Sequence, residues 1–173
     1  ANAVDSQRLQ LAELIARFAA ADGTHETDIA SLVLYRASAP SPIIHTLYRP
    51  ALCIMAQGQK VVRLESESYC YDPLHYLVAS VTLPVTGEVT LATADEPYLS
   101  LRLDIDPAEL GELIASAGPI GVPSRGNGRG LHVDQLDAPL LDAVLRLLRL
   151  LEAPRDIAML APLVRREILY RLL

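Results

Sequence analysis

The hydrophobic positions near the N-terminus follow a helical period. Leu9 and Ile15 belong to an apolar stripe within residues 5–21, and the charged side chains of this segment fall mostly opposite the stripe. This spacing predicts an amphipathic helix over 5–21, with Gly23 as its stop signal. The next apolar run, within 29–36, fits a strand or a helix end, and its Leu-Val-Leu-Tyr sequence favours a strand.

From residue 42 to residue 105 the chain changes to short apolar runs separated by turn residues. Seven such runs at regular spacing are typical of a β-sandwich or β-barrel. The polar residues 65–68 between two of the runs predict a hairpin. The predicted strands are 43–48, 52–57, 60–65, 69–71, 76–83, 88–92 and 98–105.

Helical spacing returns after Asp106 and Pro107 and predicts a helix that ends at Gly118. A second helix is expected from Asp137 to about residue 151, where Pro154 interrupts the pattern, and a third continues to the end of the chain. The predicted organisation is a tag remnant and disordered start over 1–4, a helix and barrel over 5–118, a loop and short strand over 119–136, and a helical segment over 137–173.

The helix predicted over 137–151 has more leucine than one buried face requires. Four of its apolar residues are spaced three, four and three apart, as in the contact surface of a coiled coil. We therefore expect a symmetric homodimer through this helix, with packing inside one chain as the alternative. The candidate interface residues are Leu141, Val144, Leu145, Leu148 and Leu151.

Composition and charge restrict the classes of function. The net charge of −6 disfavours contact with phosphate backbones, and the sequence has no helix-turn-helix pattern, so this chain alone is not expected to bind nucleic acid. It has no apolar run of about 20 residues and no signal peptide, which predicts a soluble, cytoplasmic protein without membrane contact. Cys53 and Cys70 are too few for a disulfide framework and agree with a reducing compartment.

Four segments in order resemble the N-terminal domain of AraC-type bacterial transcription regulators. The first, 48–60, has a Tyr-x-Pro, a strand and a turn of the form Gln57-Gly58-x-Lys60. The segments 69–84 and 96–103 resemble the following strands of that family, and 160–173 resembles the helix that precedes its DNA-binding domain.

The resemblance covers nearly the whole chain and implies a fold and a function. The implied fold is mainly β with flanking α: a cupin-like jelly-roll β-barrel with an N-terminal helix and a C-terminal helical pair. The implied function is a regulatory sensor that binds a small-molecule effector and dimerises. DNA would be contacted only through a C-terminal helix-turn-helix domain that is absent from this sequence. Two alternatives remain open, a free-standing cupin-fold enzyme such as a metal-dependent isomerase or dioxygenase, and a dimerisation module without ligand.

The histidines do not have the spacing of a cupin metal site. Such a site needs a His-x-His pair with a carboxylate and a further histidine, whereas His25, His45, His75 and His132 lie far apart in sequence. We predict no metal, no cofactor and no catalytic residue. Cys53 is interpreted as a buried structural thiol, with the sensing of an electrophile or oxidant as the alternative.

Strand alternation identifies candidate effector-binding residues, because side chains two apart share a face of a strand. Cys53, Met55 and Gln57 share one face, and Tyr69 and Tyr71 share another. Tyrosine combines an apolar ring with a polar hydroxyl, which suits a small-molecule pocket. The candidates are His45, Tyr48, Cys53, Met55, Gln57, Tyr69, Tyr71 and Tyr76.

Overall fold

The computed structural model describes residues 3–73, 75–117 and 130–173. Within these ranges the chain forms four α-helices and ten β-strands. The helices are α1 (Ala3–Phe18), α2 (Pro107–Ala117), α3 (Ala138–Arg149) and α4 (Ile157–Leu172). The strands are β1 (Gly23–Glu26), β2 (Leu32–Ala37), β3 (Ile44–Tyr48), β4 (Ala51–Gln57), β5 (Gln59–Leu64), β6 (Glu67–Tyr71), β7 (His75–Ala79), β8 (Leu83–Leu91), β9 (Tyr98–Asp104) and β10 (Leu131–Gln135).

The strands form two antiparallel sheets. One sheet has the order β1-β2-β9-β4-β7-β10 and the other has the order β3-β8-β5-β6. Hydrophobic side chains of both sheets, including Met55, Val62 and Val85, share one buried cluster, so the sheets pack face to face. The predicted fold class, a cupin-like jelly roll with an N-terminal helix and a C-terminal helical pair, is confirmed.

The central strands of the six-stranded sheet are buried on both faces. Along β4, Leu52 and Ile54 belong to the cluster shared with the helices, whereas Met55 belongs to the cluster between the sheets and Cys53 packs against it. The two faces alternate along the strand, as the period of two requires. Strand β4 therefore connects the helical layer to the interior of the sandwich.

The helices cover the outer face of this sheet, with α3 between α1 and α4. Helix α3 begins where the sequence predicts, because the Asp137 carboxylate accepts a hydrogen bond of 2.9 Å from the Leu140 amide. Pro139 occupies the first turn, where its missing amide hydrogen leaves no unmet bond. None of the helices in the described residues is both long enough and apolar enough to span a membrane.

The candidate dimer interface on α3 requires a correction. Its five residues are between 0 and 6 % exposed and belong to the core that α1, α4 and the sheet complete within one chain. Side chains covered in this way cannot also contact a second copy unless the helical layer opens. Packing within one chain, the alternative to a dimer, therefore accounts for the high leucine content of α3. The residues concerned are Leu141, Val144, Leu145, Leu148 and Leu151.

Several boundaries differ from the prediction. Helix α1 begins at Ala3, inside the segment expected to be disordered, and it ends before the short strand β1, which the sequence analysis missed. The strand predicted over 76–83 is two strands, because the chain turns after Ala79 and β8 begins at Leu83. The hairpin over 65–68 is confirmed, with Glu65 at a φ of 55°. Most of the loop predicted over 119–136, residues 119–129, and the helix stop Gly118 lie outside the described residues.

Candidate functional site

A cavity of about 570 Å³ lies between the two sheets. Its volume falls within the roughly 300–1,000 Å³ range of small-molecule sites. Strands β2, β4 and β9 line one side, and strands β3, β5, β6 and β8 line the other. The polar and aromatic side chains of the lining include Tyr35, Tyr48, Cys53, Lys60, Tyr71, Tyr98, Ser100, Arg102 and Asp104.

The cavity reaches the surface between the edges of the two sheets. Gly23 and Thr24 of β1 and Ile44 and Leu47 of β3 belong to its lining, and both strands are edge strands. Ile44 and Leu47 are each more than half exposed, so this part of the lining is open to solvent. A ligand could enter here without separating a pair of hydrogen-bonded strands.

A tyrosine and an ion pair form one polar group of the lining. Arg102 donates a hydrogen bond of 2.9 Å to the Asp104 carboxylate and another to the Tyr35 hydroxyl, and its guanidinium lies 5.8 Å from the centre of the Tyr35 ring. These three residues lie on β9 and β2, which pair antiparallel. The charge of Arg102 is therefore already neutralised within the cavity.

Two tyrosine hydroxyls meet deeper in the cavity. Tyr71 and Tyr98 are hydrogen-bonded to each other, and Ser100 is hydrogen-bonded to Tyr98. Burial raises the pKa of Tyr98 to about 12 and raises the pKa of Tyr71 well above its ordinary value, so both hydroxyls stay neutral at physiological pH. They can donate or accept hydrogen bonds but cannot supply a negative charge.

Lys60 projects from β5 into this region. Its ammonium lies 5.8 Å from the centre of the Tyr48 ring, and its neighbour across the β5–β6 pair is Tyr71. Burial lowers the pKa of the Lys60 ammonium below its ordinary value. No carboxylate in the described part of the chain forms an ion pair with this lysine.

Cys53 faces the cavity but lacks the properties of a reactive thiol. Burial raises the pKa of the Cys53 thiol to about 11, although the positive charges of Lys60 and Arg102 act in the opposite direction. A thiol with this pKa is almost fully protonated at neutral pH, and the thiolate is the reactive form. This environment favours the structural interpretation of Cys53 over redox or electrophile sensing.

The structure brings three of the eight predicted effector-binding residues together in the cavity lining: Tyr48, Cys53 and Tyr71. They come from β3, β4 and β6, of which β4 belongs to one sheet and β3 and β6 belong to the other. Met55 faces the same interior but is fully buried in the hydrophobic cluster and does not line the cavity.

Four of the predicted residues lie elsewhere. His45 is exposed on the opposite face of β3 from Thr46, and Tyr76 packs on the helical side of its sheet, opposite Ile54. The Gln57 amide donates a hydrogen bond of 2.9 Å to the Pro97 carbonyl, and the Tyr69 hydroxyl donates one of 2.6 Å to Glu67. These side chains have local roles away from the cavity.

Several polar residues of the lining were not predicted from the sequence, among them Tyr35, Lys60, Tyr98 and Arg102. One signal for Lys60 was present, since it is the single lysine of the chain and shares its face of the strand with the buried, apolar Val62 and Leu64. Tyr98 and Arg102 face the cavity because their strand β9 pairs with β4, and such long-range pairing is not visible in one sequence.

Within the described residues, no group of three or more histidine, cysteine, aspartate or glutamate residues could hold a metal ion. His75 and Asp72 form a close pair at 2.8 Å, and His132 lies 3.6 Å from Asp134, but each is a pair of neighbours in sequence.

Comparison with known proteins identifies a family whose model matches most of this chain. Residues 28–173 match the family model described as AraC-type transcriptional regulator N-terminus. Among solved structures, the chain is similar to the apo form of a ToxT variant from Vibrio cholerae, with 7 % sequence identity and a TM-score of 0.48. The match covers 82 % of this chain and 59 % of that one. No curated protein matches the sequence.

Proposed function

This chain belongs to the family of AraC-type transcriptional regulator N-termini, and from that premise we propose that it is the sensor domain of a transcription regulator. A small-molecule effector binds in the cavity between the sheets, and the domain dimerises. DNA is contacted by a helix-turn-helix domain that is not part of this sequence. The observation that carries the proposal is the cavity of about 570 Å³, whose lining combines tyrosine hydroxyls with a partly buried lysine.

The cavity-lining strands also contact the helices, which supplies a route for a response. Arg165 of α4 donates a hydrogen bond of 3.0 Å to the backbone carbonyl of Asp104, while the Asp104 carboxylate holds Arg102 in the cavity. An effector that displaces Arg102 would therefore disturb Asp104 and, through it, the hydrogen bond between Asp104 and Arg165 of α4. Such a response requires that the effector bind two arrangements of the domain with different affinity.

Dimerisation is assigned to α4 rather than α3. Met159, Leu160, Leu163 and Tyr170 are between 42 and 77 % exposed, and their spacing places them on one face of α4, opposite the buried Ile168. We take a second copy of this chain as the partner of this face. Contact through α3, as predicted from the sequence, would require the core formed by α1, α3 and α4 to open.

The cavity part of the proposal can be tested with a matched pair of variants on β3. Thr46 lines the cavity and is exposed, whereas His45 is exposed on the other face of the same strand. A thermal-shift screen would use organic acids, amines, sugars, aldehydes and divalent metals. A ligand at about 100 times its Kd adds roughly 2.7 kcal/mol of stability. We expect at least one organic compound to raise the melting temperature of the parent chain and of His45→Trp but not of Thr46→Trp.

Other outcomes would lead to different functions. A shift with divalent metal alone would favour the cupin-fold enzyme, and no shift with any compound would favour a dimerisation module without ligand. Equal responses of Thr46→Trp and His45→Trp would place the ligand outside the cavity and contradict the proposal.

The dimer is tested separately by light scattering. We expect a dimer for the parent chain and a monomer for Leu163→Ser. The control is Leu9→Ser, which removes an isolated apolar side chain of α1 that is 55 % exposed. A monomeric parent chain would contradict the dimer and leave the cavity proposal standing.

A further inference from the structure

The charges that line the cavity have the opposite sign to the chain as a whole. The net charge of the chain is −6, yet the lining holds four basic residues and two acidic ones. The basic residues are Arg36, Arg49, Lys60 and Arg102, and the acidic ones are Glu88 and Asp104. An excess of positive charge around a partly enclosed cavity favours a negatively charged ligand.

Most of these charged side chains already have a partner within the chain. Asp104 pairs with Arg102, and Glu88 pairs with Arg63 at 3.6 Å. Arg36 donates to the Ala19 carbonyl and lies 3.8 Å from an Asp22 carboxylate oxygen.

Arg49 is exposed to solvent. Lys60 is therefore the partly buried basic side chain of the lining that has no acidic partner, as far as the structure describes it.

The backbone makes room for this lysine. A methyl group added at Gly87 of β8 would lie 3.1 Å from Cε of Lys60 and 3.7 Å from Nζ. The Lys60 side chain therefore passes over β8 at Gly87, the residue of this strand that has no side chain. The position of the ammonium is set by this contact and by the Tyr48 ring.

Burial of an ammonium group without a counter-ion is unfavourable. Burial lowers the pKa of Lys60, and the neighbouring Cys53 does not compensate, because the raised pKa of its thiol keeps it neutral. An anion bound at Nζ would remove this cost, and the free energy gained would appear as ligand affinity.

We propose that the effector is a small monocarboxylate whose carboxylate pairs with Lys60 and whose apolar part lies among the tyrosines of the cavity. The inference deepens the proposed sensor function and rests on it. A monocarboxylate is favoured over a phosphate, because one ammonium balances one negative charge and the rest of the inner lining consists of neutral hydroxyls and apolar surface.

The test compares acids with neutral compounds of the same shape. The probes are benzoate, phenylacetate and octanoate, each beside its primary amide, with inorganic phosphate as a small anion. Because the chain has a single lysine, biosynthetic labelling with ¹³Cε-lysine gives one NMR signal that reports on Lys60. We expect at least one acid to move this signal, to raise the melting temperature and to bind at least about tenfold more tightly than its amide, a difference of ~1.4 kcal/mol.

Three variants separate charge from position. Lys60→Met should abolish the preference for acid over amide. Arg63→Met is the matched control, since it removes a positive charge from the outer face of the same strand and should keep the preference. Gly87→Ala keeps the charge but displaces the lysine, so acid affinity should fall while amide affinity stays the same.

The inference is overturned if acid and amide bind equally, if the Lys60 signal does not respond to any of the acids, or if phosphate binds as tightly as the acids. If only neutral compounds raise the melting temperature of the parent chain, and they do not raise that of Thr46→Trp, the proposal of a carboxylate effector is refuted. The proposed sensor function would then still stand. No response to any compound of the wider screen would refute the sensor itself.

Discussion

Replacing Gly58 with alanine tests the turn that carries Lys60 into the cavity. Gly58 has a φ of +100°, a conformation that alanine adopts only with strain. A methyl group there would lie 2.8 Å from the Leu91 carbonyl oxygen and 3.0 Å from Cα of Tyr98, and both neighbours are backbone atoms that cannot rotate away. The ladders on both sides of this turn contain register shifts, between Met55 and Gln57 and between Gln59 and Lys60.

The expected loss of stability follows from three contributions. The positive φ costs alanine about 1–2 kcal/mol, and the backbone shift that relieves the close contacts costs about 1–3 kcal/mol. Alanine also lowers the conformational entropy of the unfolded chain, and this stabilises the folded state by about 0.4–1 kcal/mol. Gly58→Ala should therefore be destabilised by about 1–4.5 kcal/mol, a fall in melting temperature of roughly 2–18 °C for a chain of this size.

Urea and thermal unfolding of Gly58→Ala and Gly111→Ala provide the assay. Gly111 lies in α2 with nothing within 4 Å of an added methyl group, so the same substitution there should raise stability by about 0.5–1 kcal/mol. A change of less than about 0.5 kcal/mol for Gly58→Ala would refute the reasoning. Equal losses for both variants would refute it as well.

Three further predictions concern the core, a helix cap and the titration of Lys60. Leu148→Ala should lose about 2–5 kcal/mol in urea unfolding, because Leu148 is fully buried, whereas Leu163→Ala on exposed α4 should change stability much less; similar losses would contradict the assigned burial. Asp137→Ala should lose about 1 kcal/mol with the capping bond, and Asp142→Ala, at an exposed site on the same helix, should lose less. The Lys60 pKa is lower in the folded chain than its ordinary value of 10.5, so its charge opposes folding at neutral pH and this penalty disappears as the pH rises towards 10.5. Lys60→Met should therefore melt above the parent chain at neutral pH, by an amount that shrinks at alkaline pH, and a pH-independent difference would contradict the assignment.

Short-range pattern was enough to predict the sandwich and the faces of β4. The alternation of Leu52 and Ile54 with Cys53 and Met55 depends on one strand only, and the structure has the same two faces. The alternation fails at Gln57, where the register shift turns the side chain to the Pro97 carbonyl. An inserted residue of this kind leaves no periodic signal.

Pairing between distant strands explains the errors at the site. Tyr76 packs towards the helices because it stands opposite Ile54, and that register is a property of the β4–β7 pair rather than of either strand. His45 and Tyr48 are three residues apart on β3, so their side chains point to opposite faces of the strand. The structure resolves the choice in favour of Tyr48.

The leucines of α3 show a different limit. A spacing of three and four specifies that one face of a helix is covered, and it does so equally for a partner helix of the same chain or of another. In this chain α1 and α4 cover that face. Among these helices, the apolar side chains that stay exposed lie mainly on α4.

The Gln57-Gly58-x-Lys60 turn connects the fold to the proposed chemistry. Gln57 holds the Pro97 carbonyl at the start of β9, and Gly58 allows the backbone of Tyr98 to approach the turn. Two residues later, Lys60 enters the cavity beside Tyr71, which is hydrogen-bonded to Tyr98. One short turn thus fixes both the strand that carries the cavity's hydroxyls and the strand that carries its unpaired positive charge. A change in the turn should therefore alter ligand affinity together with stability, whereas Lys60→Met should alter affinity while raising stability, and this contrast separates the scaffold of the site from its charge.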